Sequence, residues 1–152
     1  MIRAMVPGDA EAVVAVVRAA FAAIPVPLDP APSALRVTRE EVLAQEGGAV
    51  WDAVEDGAGI GGCVLWRMQD GGLYLNRVAV RPGLQGWGIG RLLLEEAEAE
   101  GRRRGVGKLV LAVRLAVPGN RRLFAAAGFR DVRLCSHPGH EVPTYAEAEK
   151  VL

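Results

Sequence analysis

The sequence has no excess of either charge and very little cysteine, and each shortage excludes a class of protein. Eighteen Lys and Arg residues balance eighteen Asp and Glu residues among the 152, so no overall basic field exists to hold nucleic acid or an anionic membrane. Cysteine occurs only at Cys63 and Cys135, which form neither a C-x-x-C pair nor a metal-ligand spacing. We interpret both as small buried hydrophobic residues in a reducing compartment.

Histidine and long apolar stretches are scarce as well. Two histidines, His137 and His140, are too few for most zinc sites, so we predict no bound metal. The apolar runs are short and interrupted by charge or glycine, so no segment is predicted to span a bilayer. Met1 is followed by Ile2-Arg3 without the apolar region of a signal peptide, which indicates a cytoplasmic protein.

The composition that remains, 51% hydrophobic and 24% charged residues, is that of a folded domain. We predict a single domain over residues 1–152, because this length leaves little room for a second. Local patterns predict a strand, two helices, three strands, a helix, a strand, a helix and two strands. In that order, they cover residues 2–5, 10–23, 39–45, 49–55, 60–68, 73–80, the stretch from the turn at 85–90 to 104, 109–113, 120–127, 129–136 and 144–152.

Several boundaries follow from local signals. Asp9 is predicted to cap the first helix, Thr38 to open the second through a capping box, and Gly105 to end the long helix in the left-handed conformation. Asp56-Gly57 predicts a hairpin turn. Four prolines within residues 25–32 exclude a helix there and predict an extended loop, and a loop of this length in a small domain is more often functional than not.

The most informative stretch is a glycine-rich turn between a predicted strand and the long helix. Its sequence is Gln85-Gly86-Trp87-Gly88-Ile89-Gly90. Closely spaced glycines let backbone N–H groups approach a bound group. At the start of a helix these groups are unpaired and carry positive dipole charge, so the turn suits a phosphate or pyrophosphate. The alternative is a tight turn that binds nothing.

Two familiar phosphate-binding patterns do not fit this turn. A Walker loop ends in G-K-[ST], whereas this turn continues as Gly90-Arg91-Leu92. A dinucleotide fingerprint needs G-x-G-x-x-G and an acid about 20 residues later, but that later region is Gly105-Val106-Gly107-Lys108. A nucleotide-binding oxidoreductase is therefore disfavoured. The pattern Q/R-x-x-G-x-G/A fits at every fixed position.

This motif and its surroundings resemble the GNAT superfamily of N-acetyltransferases over essentially the whole chain. Residues 75–82 are similar to that family's fourth strand and residues 85–90 to its acyl-CoA pyrophosphate loop. Residues 111–113 and 120–129 are similar to its fifth strand and fourth helix. The resemblance implies an α/β (α+β) protein with the GNAT-type three-layer fold: a central mixed sheet of about seven strands flanked by about four helices, with strands four and five parallel and splayed apart.

The resemblance also implies acetyl-CoA as co-substrate and a set of positions that hold it. Backbone groups of the fourth strand would pair with the pantetheine arm, and amides of the turn would hold the pyrophosphate. The predicted cofactor-binding residues are Val78, Ala79, Val80, Gln85, Gly86, Trp87, Gly88, Ile89, Gly90, Arg91 and Asn120. Three of them have an alternative: Trp87 packs under the turn, Arg91 is a solvated surface charge, and Asn120 caps the fourth helix.

Two positions depart from the family's pattern. Its usual mechanism uses a carboxylate on the fourth strand to remove a proton from the amine, and a tyrosine on the fourth helix to protonate the departing thiolate. The strand carries Asn76-Arg77 where the acid is expected, and Phe124 stands at the tyrosine position. Phe124 cannot donate a proton, and Asn76 can hold a water molecule but cannot take its proton.

Candidate substitutes lie in residues 136–145, which contain both histidines, Glu141 and Tyr145. In the resembled fold this segment joins the last two strands and borders the acceptor pocket. We therefore predict His140 and His137, together with Asn76, as catalytic residues, since imidazole is a suitable base near neutral pH. The alternative is a polar hairpin loop with exposed histidines.

These observations predict an enzyme, a GNAT-type acyl-CoA N-acyltransferase. It would move an acetyl group from acetyl-CoA to a primary amine of a small molecule or peptide, by direct attack in a ternary complex. The alternative is a GNAT-fold module that binds acyl-CoA with little or no turnover, as a sensor or partner domain, which the missing acid and tyrosine keep open. Nucleic-acid and membrane partners are not expected, and a homodimer is left open.

Overall fold

The computed structural model describes residues 1–54 and 58–152. The strands are β1 (Ile2–Ala4), β2 (Gly47–Asp52), β3 (Ile60–Gln69), β4 (Gly72–Val80), β5 (Lys108–Arg114), β6 (Arg130–Cys135) and β7 (Tyr145–Val151). The helices are α1 (Ala10–Ala22), α2 (Arg39–Leu43), α3 (Ile89–Arg103) and α4 (Pro118–Ala126). Short 3-10 turns cover Pro7–Asp9 and Ser33–Arg36. The predicted hairpin turn Asp56-Gly57, and Glu55 before it, lie outside the described residues.

The seven strands form one mixed sheet in the order β1-β2-β3-β4-β5-β7-β6. Neighbouring strands are antiparallel except β4 and β5, which are parallel and are joined through α3. The parallel arrangement expected of strands four and five is therefore confirmed. The insertion of β7 between β5 and β6 places the C-terminal strand inside the sheet and leaves β6 at its edge.

Alternating side chains divide the core into two layers, one on each face of the sheet. On β3, Val64 and Trp66 join the cluster that contains the apolar face of α3 and Phe124 of α4. Cys63 and Leu65, one position out of phase, join the cluster of α1 and α2. This alternation is the period-2 geometry of a strand covered on both faces. No helix within residues 1–54 and 58–152 is long and apolar enough to cross a membrane.

The predicted end of the long helix is confirmed in detail. Gly105 adopts a φ of +71°, a conformation that glycine reaches without a Cβ clash. Its N–H donates to the carbonyl of Arg102 at 3.1 Å, and the N–H of Val106 donates to Gly101 at 3.1 Å. These are the two hydrogen bonds of a Schellman motif, so Gly105 ends α3 for a local backbone reason.

Other predicted boundaries shift by one to three residues. β2 begins at Gly47, two residues before the predicted start, and ends at Asp52. α4 begins at Pro118 and not at the predicted residue 120, because proline lacks an N–H and fits the first helical position. Thr38 caps α2 as predicted, accepting from the N–H of Glu41 at 3.2 Å, but the helix ends at Leu43.

The cap predicted at Asp9 is wrong. Asp9 stands before α1, but its carboxylate accepts from the N–H of Val6 at 2.9 Å and not from the helix. It also binds the Arg3 guanidinium in two hydrogen bonds of 2.8 and 3.0 Å. Arg3 bonds the fully buried Asp52 on β2 at 2.8 Å as well. Asp9 therefore belongs to a buried ion network that links β1, β2 and the start of α1.

One of the two cysteines agrees with the prediction. Cys63 is fully buried, and burial raises the pKa of its thiol to about 12. Cys135, at the end of the edge strand β6, is only partly buried. The prediction of burial is wrong for Cys135 because β6 has no strand beyond it to cover that position.

Candidate functional site

A cleft opens where β4 and β5 separate. The two strands pair at Leu73 with Leu109 and at Tyr74 with Val110. Beyond these pairs β4 contains a bulge, where one residue of β3, Val64, lies opposite two of β4, Arg77 and Val78. Arg77 in the bulge has a φ of +53°, and the opening that follows forms a cavity of about 590 Å³. The splayed pair thus leaves part of each strand without its neighbour.

The backbone of β4 beyond the bulge faces this opening in alternate residues. The N–H of Arg81 donates to the carbonyl of Gly61 at 2.7 Å, so the polar groups of Arg81 point toward β3. Because N–H and C=O groups alternate sides along a strand, those of Val80 and Val78 point toward β5, which is no longer paired there. The N–H and C=O groups of Ala79 point toward β3, and the side chain of Ala79 is buried. The free edge at Val78 and Val80 is therefore open to an extended ligand.

The glycine turn begins after β4 and the four residues 81–84, and it opens α3. Gly86 and Gly88 have φ angles of +86° and +81°, and a Cβ at either position would meet no protein atom within 4 Å. The first intrahelical bond of α3 runs from the N–H of Leu92 to the carbonyl of Gly88 at 3.1 Å. The preceding amides are the helix's unpaired donors, at the positive end of its dipole. The turn is thus a concave set of N–H groups with free space in front of it.

The remaining residues of the turn divide into buried and exposed. Gly90 is buried, and a Cβ there would come within 3.0 Å of Leu123 on α4, so this glycine allows close helix packing. Ile89 belongs to the core. Trp87 is 72% exposed and does not pack under the turn, which leaves its other predicted position beside the cofactor. Arg91 forms an exposed ion pair with Glu95 at 3.4 Å.

The predicted residues of strand and helix meet at the cleft. Asn76 on β4 and Asn120 on α4 both line it, as does Phe124 at the position of the expected tyrosine. Phe124 is 8% exposed and contacts Phe129 edge to face, with ring centroids 6.0 Å apart. The α4 wall is therefore apolar where a proton donor was expected.

The structure separates the two predicted histidines. His137 lines the cleft, and its ring lies 4.8 Å from that of Tyr145. Thr144 holds it twice: its hydroxyl accepts from the N–H of His137 at 3.0 Å and is hydrogen-bonded to the Nδ1 atom. Burial, and then the charges of Arg114 and His140, lower the pKa of His137 below its usual value. An imidazole in this environment is neutral at pH 7 and can accept a proton.

His140 lies outside the cleft lining. Its Nε2 atom is 3.5 Å from a carboxylate oxygen of Asp29, and its Nδ1 atom is 3.3 Å from the carbonyl of Pro138. Its ring centroid is 6.2 Å from that of His137. His140 therefore links the β6–β7 loop to the proline-rich loop. Its connection to the cleft is its ring contact with His137.

Two tyrosines, Tyr74 and Tyr145, line the cleft. Tyr145 was noticed in the sequence as part of the histidine segment, whereas Tyr74 was missed. Burial raises the pKa of both side chains, so both are protonated near neutral pH. The alternation of buried Leu73 and Leu75 would have revealed Tyr74, because it places this side chain on the same face as Asn76.

Two arginines hydrogen-bond to the segment between α1 and α2 and hold it beside the cleft. Sequence patterns did not indicate either contact. Arg114 of β5 donates to the carbonyl of Pro30 at 2.6 Å. Arg77 in the bulge donates to the hydroxyl of Ser33 at 3.1 Å. The proline-rich loop thereby forms one rim of the cleft, together with Phe21 and Ile24 at the end of α1. Among the described residues, no group of three His, Cys, Asp or Glu side chains is arranged to hold a metal ion.

A splayed parallel strand pair with a free backbone edge, and a glycine turn at the following helix start, are the features that the resemblance to a GNAT-type acyltransferase fold led us to expect. Residues 15–129 match the sequence profile of the Acetyltransferase (GNAT) family. Because this match covers most of the chain, the protein belongs to the GNAT acetyltransferase family. Among curated proteins, none is similar enough in sequence to match.

Solved structures agree with the fold. The PaiA N-acetyltransferase of Thermoplasma acidophilum, in complex with coenzyme A, superposes with a TM-score of 0.80 at 18% identity, over 100% of this chain and 98% of that one. The ribosomal-protein-S18-alanine N-acetyltransferase of Escherichia coli gives 0.75 at 18% identity, over 99% and 92%. The ribosomal-protein-alanine N-acetyltransferase of Brucella melitensis gives 0.74 at 21%, over 100% and 99%. At these identities the likeness establishes the three-layer fold and not the acceptor.

Proposed function

We propose that this protein is an N-acetyltransferase that transfers the acetyl group of acetyl-CoA to a primary amine in a ternary complex. The observation that supports it most is continuity along the chain: the free edge of β4 ends at Val80, and after residues 81–84 the chain forms the glycine turn before α3. An extended thiol arm and a pyrophosphate would need these two features in this order. We further propose a cytoplasmic single domain over residues 1–152, and leave open a homodimer.

The residues present fit acetyl-CoA. We assign the pantetheine arm to the backbone of Val78 and Val80, with Ala79 orienting the strand between them. The pyrophosphate is assigned to the amides from Gln85 to Arg91, where Gly86 and Gly88 leave free space. Asn120 and Trp87 are assigned to the flanks of the same ligand. When bound, acetyl-CoA supplies an activated thioester carbonyl; the residues of the chain supply position and proton transfer.

We assign the proton acceptor to His137. An amine attacks only when neutral, so its proton must pass to a base in the cleft. His137 is held by Thr144, lines the cleft and has a lowered pKa, so its ring is unprotonated at neutral pH. Asn76 can hold a water molecule between the amine and this base. His140 is assigned a positioning role, because it contacts Asp29 and reaches the cleft only through His137.

We assign the proton donor for the departing thiolate to Tyr145. Phe124 carries no hydroxyl, whereas Tyr145 lines the cleft beside His137 and is protonated because burial raises its pKa. Tyr74 is the second hydroxyl in the same cavity. These groups favour an enzyme over the alternative, an acyl-CoA-binding module without turnover, which the apolar Phe124 wall would otherwise support.

The test is coenzyme A release from acetyl-CoA in the presence of a panel of amines, alongside a thermal melt with acetyl-CoA. We expect a rise in melting temperature and amine-dependent thiol release that falls strongly in Tyr145→Phe. A thermal rise with no release for any amine would support the binding module in place of the enzyme. No thermal rise would contradict both functions.

A further inference from the structure

The cleft carries guanidinium groups that no acidic residue of its lining balances. Arg67, Arg77 and Arg114 line it, and no Asp or Glu is among its lining residues in the described ranges. A pocket for a polycationic amine would need the opposite arrangement, because like charges disfavour binding and carboxylates attract ammonium groups. The charge of the cleft therefore carries information about the acceptor.

Arg114 is a half-buried cation with spare donors. Its Nη2 atom donates to the carbonyl of Pro30, and none of the described residues pairs a carboxylate with it. A guanidinium has five N–H donors, and most of those of Arg114 have no hydrogen-bond partner among the described residues. Burial lowers the pKa of Arg114, and the charge of Asp29 acts in the opposite direction. The negative charge of a bound anion would offset the cost of keeping this guanidinium charged away from water.

Arg67 is in a similar state on the opposite wall. Its Nε and Nη2 atoms bond the amide oxygen of Gln69 at 3.3 and 3.2 Å, and its guanidinium lies 4.7 Å from the Tyr74 ring centroid. Neither partner is charged. Arg77 differs, since it bonds Ser33 and lies 3.8 Å from the carboxylate of Glu41.

The coenzyme A phosphates do not explain these cations. Tyr74 precedes Val80 by six residues, so Arg67 beside it lies roughly 20 Å along the sheet from Val80, the strand end that precedes the glycine turn. Leu73 and Leu75 pack toward α3, so Tyr74 and Arg67 face the other side of the sheet, that of α1. Arg114 is tied to the loop that follows α1. Both arginines thus lie on the side left for the second substrate.

Nearby carboxylates are already engaged elsewhere. Glu147 on β7 pairs with Arg133 at 2.5 Å. Asp29 is 92% exposed and faces His140. Neither joins the lining of the cleft, so neither neutralises Arg67 or Arg114 by contact.

We propose that the acceptor is a small amine that also carries a carboxylate, an amino acid in the broad sense, and that Arg114 holds this carboxylate while Arg67 adds positive charge to the same cleft. The proposal rests on the proposed function. A guanidinium binds a carboxylate through two parallel hydrogen bonds, which fixes the orientation of the amine as well as its identity. The apolar rim at Phe21 and Ile24 is suited to an aliphatic or aromatic side chain.

The first test compares matched acceptors: leucine with 3-methylbutylamine, 4-aminobutyrate with propylamine, and spermidine as a polycation. Rates are compared at equal concentrations of neutral amine. We expect kcat/KM to be at least about tenfold higher for the better carboxylated acceptor than for its matched amine, one decade being about 1.4 kcal/mol of barrier. Arg114→Gln should reduce this ratio to near one, and Arg114→Lys should retain part of it. Arg102→Gln, an exposed arginine paired with Glu98 on α3, makes the same charge change away from the cleft and should leave the ratio unchanged.

A second test needs no turnover. N-acetylleucine should raise the melting temperature, N-(3-methylbutyl)acetamide should not, and Arg114→Gln should remove the difference. Equal rates within each pair, or a preference for spermidine, would overturn the carboxylate proposal while leaving the enzyme in place. Binding of N-acetylleucine through Arg114 without acetyl transfer to any amine would instead support the carboxylate site and overturn the enzyme.

Discussion

Replacement of Gly88 by valine tests the glycine turn most directly. Gly88 precedes α3 with a φ of +81°, and a Cβ built there meets no protein atom within 4 Å. The variant therefore creates no clash inside the protein, and its cost is backbone strain. If the free space in front of the turn receives a pyrophosphate, the same side chain would occupy that space.

The expected magnitudes separate these two effects. A left-handed conformation costs a non-glycine residue about 1–2 kcal/mol, and somewhat more when it is β-branched. For a domain of this size each kcal/mol lowers the melting temperature by about 2–4 °C, so the free variant should melt roughly 2–8 °C lower and remain folded. Ligand at about 100 times its Kd stabilises the native state by about 2.7 kcal/mol, and this contribution should disappear.

The assay is a thermal melt with and without coenzyme A, and Gly71→Val is its matched control. Gly71 lies in the β3–β4 turn with a φ of +76°, and a Cβ there also meets nothing within 4 Å. It should therefore suffer a comparable loss of stability, yet keep the full rise with coenzyme A. If folded Gly88→Val showed the same rise as Gly71→Val, the glycine turn would not be the pyrophosphate site.

Three further predictions concern the cleft and the N-terminal ion network. His137→Ala should lower acetyl transfer by about 10²-fold, as expected for a lost general base, and should keep the rise in melting temperature with coenzyme A. Because the pKa of His137 is lowered, the wild-type rate should increase with pH in a range below about pH 6.5, the usual imidazole value. The variant should lose this increase. Phe124→Tyr should fold normally and raise kcat, a tenfold gain corresponding to about 1.4 kcal/mol; a large loss of activity would mean that the apolar ring shapes the acceptor pocket. Arg3→Met should lower the free energy of unfolding by about 3–5 kcal/mol in urea titrations at pH 7, because it removes the guanidinium that bonds two buried carboxylates, those of Asp9 and Asp52. Since Arg3 lowers the folded-state pKa of Asp9, wild-type stability from this pair is present above about pH 4 and lost as the pH falls through that lowered pKa, and a flat profile from pH 6 to pH 2 would contradict the role of the pair.

Features governed by neighbouring residues were predictable from the sequence. The spacing of Gly86 and Gly88 before an amphipathic helix is a local property of the backbone, and it indicated both the turn and the anion it suits. Gly105 and Thr38 marked helix ends for the same reason, since their hydrogen bonds span only a few residues. Even the cap at Asp9 failed for a nonlocal reason, because Arg3 and, through it, Asp52 of another strand draw its carboxylate away from α1.

The character of the cleft was decided by the tertiary structure. His137 and His140 are three residues apart, and the sequence does not distinguish them. In the structure His137 lines the cavity and His140 contacts Asp29, because the pairing of β6 with β7 fixes the course of the loop between them. Arg114 meets Pro30, 84 residues away, across the open end of the parallel pair. Sequence periodicity describes which side chains share a face of one strand, but not which strands, loops and charges come to face one another. The sequence by itself thus determined the family and the glycine turn, whereas the placement of His137 and Tyr145 and the positive charge of the cleft depended on long-range packing.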